Sequence, residues 1–145
     1  MKLRYILSVT GLMLMSQMTF ADEGKQLFDS YCAACHGLSG GMDMSKRVAP
    51  PVAAIRVHYI GPHAEEDDFV AAVADWVATP DESKTLMRGA IRKFKLMPPL
   101  PFPRDEIEKI AAYIYAGELE KPEGFDEHVQ QRHGKGGMKG NMQGN

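Results

Sequence analysis

Cysteine occurs at two positions in this chain, and both fall in the stretch Cys32-Ala33-Ala34-Cys35-His36. Two cysteines separated by two residues, with histidine directly after the second, form the C-x-x-C-H pattern of covalent c-type haem attachment. On one turn of helix the two thiols share a face, so both reach the vinyl groups of one porphyrin as thioethers. His36 follows on a tether of one residue, which places its neutral imidazole under the ring as an iron ligand. A thioredoxin-like pair needs a βαβ context that the residues ahead of Cys32 cannot supply. A structural zinc site needs two more ligands, and no second cysteine pair exists. The expected cofactor is therefore one covalently attached haem c. Any fold this chain adopts must wrap that ring.

The N-terminus agrees with this chemistry. Residues 1–21 read as a secretory signal, with Lys2 and Arg4 as the basic region, Ile6 to Met15 as the apolar region and Thr19-Phe20-Ala21 as the cleavage site. Ser8, Thr10, Gly11, Ser16, Gln17 and Thr19 break up the apolar run, which argues against a retained anchor of about 20 apolar residues. No later stretch is apolar enough to cross a bilayer, so no membrane span is expected after cleavage, and contact with membrane complexes would be peripheral. Haem c is attached outside the bacterial inner membrane, so the expected location is the periplasm. The whole chain carries a formal charge of −2, and loss of Lys2 and Arg4 makes it more acidic still. That balance excludes a nucleic-acid partner held by bulk basicity.

At 145 residues the chain is one domain with additions. The expected class is all-α, with about four or five short helices. Asp22 suits an N-cap, and Leu27, Phe28 and Tyr31 share a face, giving a helix over 23–35 that carries the cysteines on its last turn. Gly37, Gly40 and Gly41 open a loop that Ala49-Pro50-Pro51 ends in extended backbone. Val52, Ile55 and Tyr59 mark a short helix stopped by Gly61-Pro62. A helix over 64–78 opens on Glu65, Glu66, Asp67 and Asp68, as the dipole favours, and presents Phe69, Val70, Val73, Trp76 and Val77. From Lys84 to Lys95 the basic residues Lys84, Arg88, Arg92 and Lys95 oppose Met87, Ala90, Ile91 and Phe94, which predicts an amphipathic helix weakened by Gly89. Leu96-Met97-Pro98-Pro99-Leu100-Pro101-Phe102-Pro103 is a rigid loop, because proline removes backbone donors. A last helix runs over 104–116 with Ile107, Ile110, Ala111 and Ile114 inward. Residues 118–145 read as a flexible polar tail, docked at most through Phe125.

With C-x-x-C-H on a first helix and a Met-Pro-Pro loop ahead of a last one, residues 22–117 resemble the class I bacterial monohaem cytochrome c family. Gly24 and Phe28 match the family's first-helix pattern, and Ile110 and Tyr113 match the last; in that family these two helices cross closely. The resemblance implies a proline carbonyl on the free nitrogen of the ligating histidine, with Pro50 matching and Pro51 the alternative. It also implies a distal methionine in a proline-containing loop before the final helix, a position that Met97 occupies. A thioether is soft and neutral and favours reduced iron, and a stiff loop holds it with little entropy to lose. Met87 competes with it but sits where methionine serves as core filler. His58, His63, Met42 and Met44 are weaker rivals. The porphyrin would bury Phe28, Leu38, Ile55, Val73, Trp76, Phe94, Leu96 or Leu100, a gain on the order of 10 kcal/mol at most. Folding and haem binding are thus expected to be coupled.

A His36 and Met97 pair closes both sides of the iron, which points to an electron carrier between redox proteins rather than an enzyme. The basic face of Lys84, Arg88, Arg92 and Lys95 would steer an acidic partner. The rival readings are a haem c subunit of a periplasmic or membrane oxidoreductase complex, and a gas sensor in which Met97 is displaced. His128, His133, Met138 and Met142 give no reason to assign a metal in the tail.

Overall fold

A computed structural model describes residues 20–38, 43 and 45–133. Residues 1–19 of the expected leader, the rival ligands Met42 and Met44, the tail beyond His133 with Met138 and Met142, and the His133 side chain lie outside the described residues. Within them the chain is all-α: α1 (Phe20–Tyr31), α2 (Ala33–His36), α3 (Val52–Tyr59), α4 (Glu66–Ala78), a 3₁₀ turn (Glu82–Lys84), α5 (Arg88–Phe94), α6 (Arg104–Ala116) and α7 (Phe125–His133).

The single helix expected over 23–35 is two. Its start lies at Phe20, so Asp22 sits in the first turn instead of capping it, where its charge and that of Glu23 still suit the helix dipole. A turn at Cys32 then separates α1 from α2, although Cys32 N–H still donates to Phe28 O at 2.8 Å and His36 N–H to Cys32 O at 2.8 Å. The helical path is bent, not broken.

The centre of the fold is the crossing of α1 on α6. Gly24 permits it: a Cβ at this position would run into the Lys109 carbonyl oxygen and lie 2.9 Å from Tyr113 Cβ. One turn on, the rings of Phe28 and Tyr113 meet at 5.8 Å with a 50° tilt. Polar pairs border the crossing, with Lys109 Nζ 2.7 Å from Glu23 Oε1 and Tyr31 Oη donating to Glu106 Oε2 at 2.7 Å. Packing of α4 on another side of α6 seals Phe69, wholly buried, edge-on to Tyr59 and Tyr115. Gly117 ends α6 at φ +84°, and Arg56 Nε donates to Tyr115 O at 3.1 Å, bringing a cation to the helix C-terminus.

Two expectations change in detail. The helix foreseen from Lys84 to Lys95 starts only at Arg88, because Asp81 Oδ1 accepts from Ser83 N–H at 2.9 Å and Thr85 Oγ1 from Met87 N–H at 3.0 Å, which favours turns before it. Lys84 therefore lies in the 3₁₀ turn, 3.8 Å from Asp81, and does not share a helix with Arg88 and Arg92. The apolar core also continues beyond Gly117: Leu119 and Phe125 are buried in it, and α7 follows.

Gly24→Ala is expected to lower the unfolding free energy by about 1–3 kcal/mol, the usual cost of forcing volume into a packed contact. A urea midpoint equal to that of the wild type would reject the close crossing.

Candidate functional site

Between α1, α4, α5 and α6 the helices leave a cleft of about 270 Å³. Its lining is mostly apolar, including Phe28, Ile55, Val73, Trp76, Phe94 and Leu100. Of the eight side chains expected to face a porphyrin, only Leu38 is missing from the wall; it is exposed.

Cys32, Cys35 and His36 are among the residues that line the cleft. Both cysteines are free thiols, Cys32 half-buried and Cys35 exposed. Burial pushes the Cys32 thiol up to about 11, with Cys35 adding to the shift, so it remains protonated at neutral pH. His36 Nδ1 lies 2.9 Å from Pro50 O. A carbonyl can only accept, so Nδ1 must carry the proton and Nε2 is left with its lone pair. Pro51 O does not compete, since it accepts from Ala54 N–H at 2.9 Å at the start of α3. Burial holds the imidazole below its ordinary range; the Pro50 bond opposes this and the Arg47 charge adds to it. At neutral pH the ring is a neutral ligand with a fixed tautomer.

α5 and the loop after it also line the cleft, with Met87, Ile91, Lys95, Leu96, Met97 and Pro98. Met87 packs against the buried core cluster at the head of α5. Met97 stands in the loop. Lys95 turns the chain there with φ +70° and ψ 179°, a region nearly reserved for glycine, while its N–H still donates to Ile91 O at 2.9 Å. Leu100 N–H donates to Val77 O at 3.2 Å, and Phe102 stacks on Tyr31 with ring centroids 4.2 Å apart. The loop is thus tied to α4, α5 and α1. His58 and His63 are not in the wall, and His63 stacks on Tyr59.

One side chain escaped sequence reading altogether. Arg47 is 6% exposed, the one buried charged residue among those described. Its Nε donates to Ala49 O at 3.1 Å and its Nη2 to Gly37 O at 2.5 Å. No periodicity or spacing in the chain marks it.

An all-helical fold that closes an apolar cleft over C-x-x-C-H, with a proline carbonyl on the histidine, defines a c-type cytochrome domain. Residues 19–114 match the family described as cytochrome c oxidase, cbb3-type, subunit III, and the chain belongs to that family. Comparison with curated proteins and with solved structures finds no match. Membership implies haem c and electron transfer through it. The cleft fits such a group: two free thiols, the His36 imidazole and two thioethers are all among its lining residues, and the rest of that lining is mostly apolar. No helix among the described residues is long and apolar enough to cross a membrane.

Because a covalently held ring would cover the apolar lining of the cleft, Cys32→Ala with Cys35→Ala is expected to leave little fixed tertiary structure. Amide hydrogen exchange checks this: protection close to that of the haem-loaded wild type would show that the helices hold without the ring.

Proposed function

We propose that this protein carries single electrons in the periplasm through one covalently bound haem c, with His36 as the proximal and Met97 as the distal iron ligand. The observation that carries the reading is the meeting of Cys32, Cys35, His36 and Met97 around one apolar cleft. The bound haem supplies a one-electron Fe(III)/Fe(II) couple. Cys32 and Cys35 hold it by thioethers. Pro50 O keeps the His36 ring turned and its Nε2 free, which raises the basicity of the ligand. Met97 offers a soft neutral donor that favours reduced iron. Both methionines line the cleft, but Met87 also packs against the core cluster, while Met97 stands on the proline loop, which supports Met97 as the distal ligand. The apolar walls exclude water, and a coordination sphere filled on both sides leaves no position for substrate.

The outer face of α5 supports a docking role. Arg88, Arg92 and Lys93 are exposed there while Ile91 and Phe94 line the cleft, so positive charge lies on the outside of the element that covers it. An acidic partner surface is the complement. Lys95, exposed just after α5, lies at the edge of the cleft instead, and Lys84 is drawn toward Asp81. Family membership favours a second reading, in which the same domain serves as a haem c subunit docked on an oxidase. Recovery from detergent-solubilised membranes as a stable complex, rather than as a free protein in a periplasmic extract, separates the two.

Met97→Ala is expected to abolish the Met–Fe(III) charge-transfer band of the oxidised, haem-loaded protein; persistence of the band would move the ligand to Met87. Oxidation of the reduced protein by an anionic complex such as ferricyanide is expected to slow as ionic strength rises, with a shallower dependence for Arg92→Glu. A dependence that is flat, or unchanged by Arg92→Glu, would reject the basic face.

A further inference from the structure

The buried guanidinium of Arg47 is placed where two chain segments meet at the His36 imidazole. Gly37, whose carbonyl it holds, directly follows His36. Ala49, whose carbonyl it also holds, directly precedes Pro50, the residue that accepts from His36 Nδ1. One side chain therefore spans the backbone on both sides of the ligand and its partner. The planar fork of arginine suits this, since its donors diverge at fixed angles and reach two acceptors together, whereas lysine is a single point of charge. Burying a guanidinium is costly, so a loop joined only for shape would be served as well by apolar contacts.

The charge has a direction of effect as well as a place. The guanidinium donates to the carbonyl of Gly37, the residue next to His36, so its positive charge is fixed close to the ligand. A positive charge so placed disfavours the added charge of oxidised iron bound to that ring.

We propose that Arg47 is the positioning residue of the proximal ligand, holding Gly37 O and Ala49 O so that His36 stays seated on Pro50, and setting a fixed positive charge beside it that favours the reduced iron. The proposal rests on His36 being the proximal ligand. It goes beyond that assignment, because ligation by His36 requires nothing of Arg47.

The test uses haem-loaded wild type, Arg47→Gln and Arg47→Lys, compared by midpoint potential and by the proton shifts of the haem methyl groups in the oxidised state, which report the orientation of the axial ligands. Arg47→Gln is expected to lower the potential by about 59 mV, a tenfold change in the one-electron equilibrium. Arg47→Lys is expected to recover most of that loss while altering the spread of methyl shifts, because it restores the charge without the fork. A potential that is the same in Arg47→Gln as in wild type overturns the proposal, and so does an equal loss in both variants. Should Arg47→Gln fail to mature, Arg47→Lys decides alone: an altered methyl spread at near wild-type potential supports the positioning role, and an unaltered spread overturns it. A wild type without low-spin haem c overturns the functional reading together with this one, whereas normal haem spectra with an indifferent potential overturn Arg47 only.

Discussion

The fold depends on the approach of two backbones at Gly24, where the absence of a side chain lets α1 lie on the Lys109 carbonyl of α6. α1 ends at the cysteines and the loop carrying Met97 leads into α6. The depth of this crossing therefore sets the separation of the cleft walls. Tyr31 reinforces it from the α1 side, with its hydroxyl on Glu106 and its ring on Phe102. The ion pair of Lys109 with Glu23, still reached by solvent, adds little beside this contact. The register comes from shape.

The surroundings of His36 and of Met97 are built by opposite means. Around His36 the backbone does the positioning, with the carbonyl oxygens of Gly37, Ala49 and Pro50 joined to the imidazole or to a buried guanidinium. Around Met97 the chain has few donors left, because prolines have removed them, and side-chain stacking with the Leu100 N–H bond holds the loop. Polar precision around the histidine and apolar restraint around the methionine suit a ring that must be held rigidly and kept dry.

Much of this was legible in the chain. The helices over 52–59, 66–78 and 104–116 follow from apolar periodicity bounded by proline, glycine and acidic first turns, all of which act locally. C-x-x-C-H and the Met97 loop were legible because their chemistry depends on residue type and spacing. Met97 in the cleft wall agrees with the expectation, while its role as ligand is part of the proposal. The break before Arg88 was not legible, since it depends on Asp81 and Thr85 accepting backbone bonds that compete with a helix. Docking at Phe125 was foreseen, but that of Leu119 was not, since the burial of an apolar residue in a polar stretch depends on a surface that α6 and its neighbours build first. Arg47 was the hardest to see. Its burial is decided by carbonyls ten and two residues away that only the folded chain brings together.

The loop from Lys95 to Pro103 combines a residue at positive φ, four prolines, backbone bonds from Lys95 and Leu100 to α5 and α4, and one aromatic stack. Such a segment has few soft coordinates along which to relax. If an electron arrives at a centre that this loop helps to hold, the surroundings shift little between the two oxidation states, and the reorganisation energy stays small. The barrier to transfer then falls without any gain in driving force, so a chain with these restraints can exchange electrons quickly with a partner of nearly equal potential, in either direction.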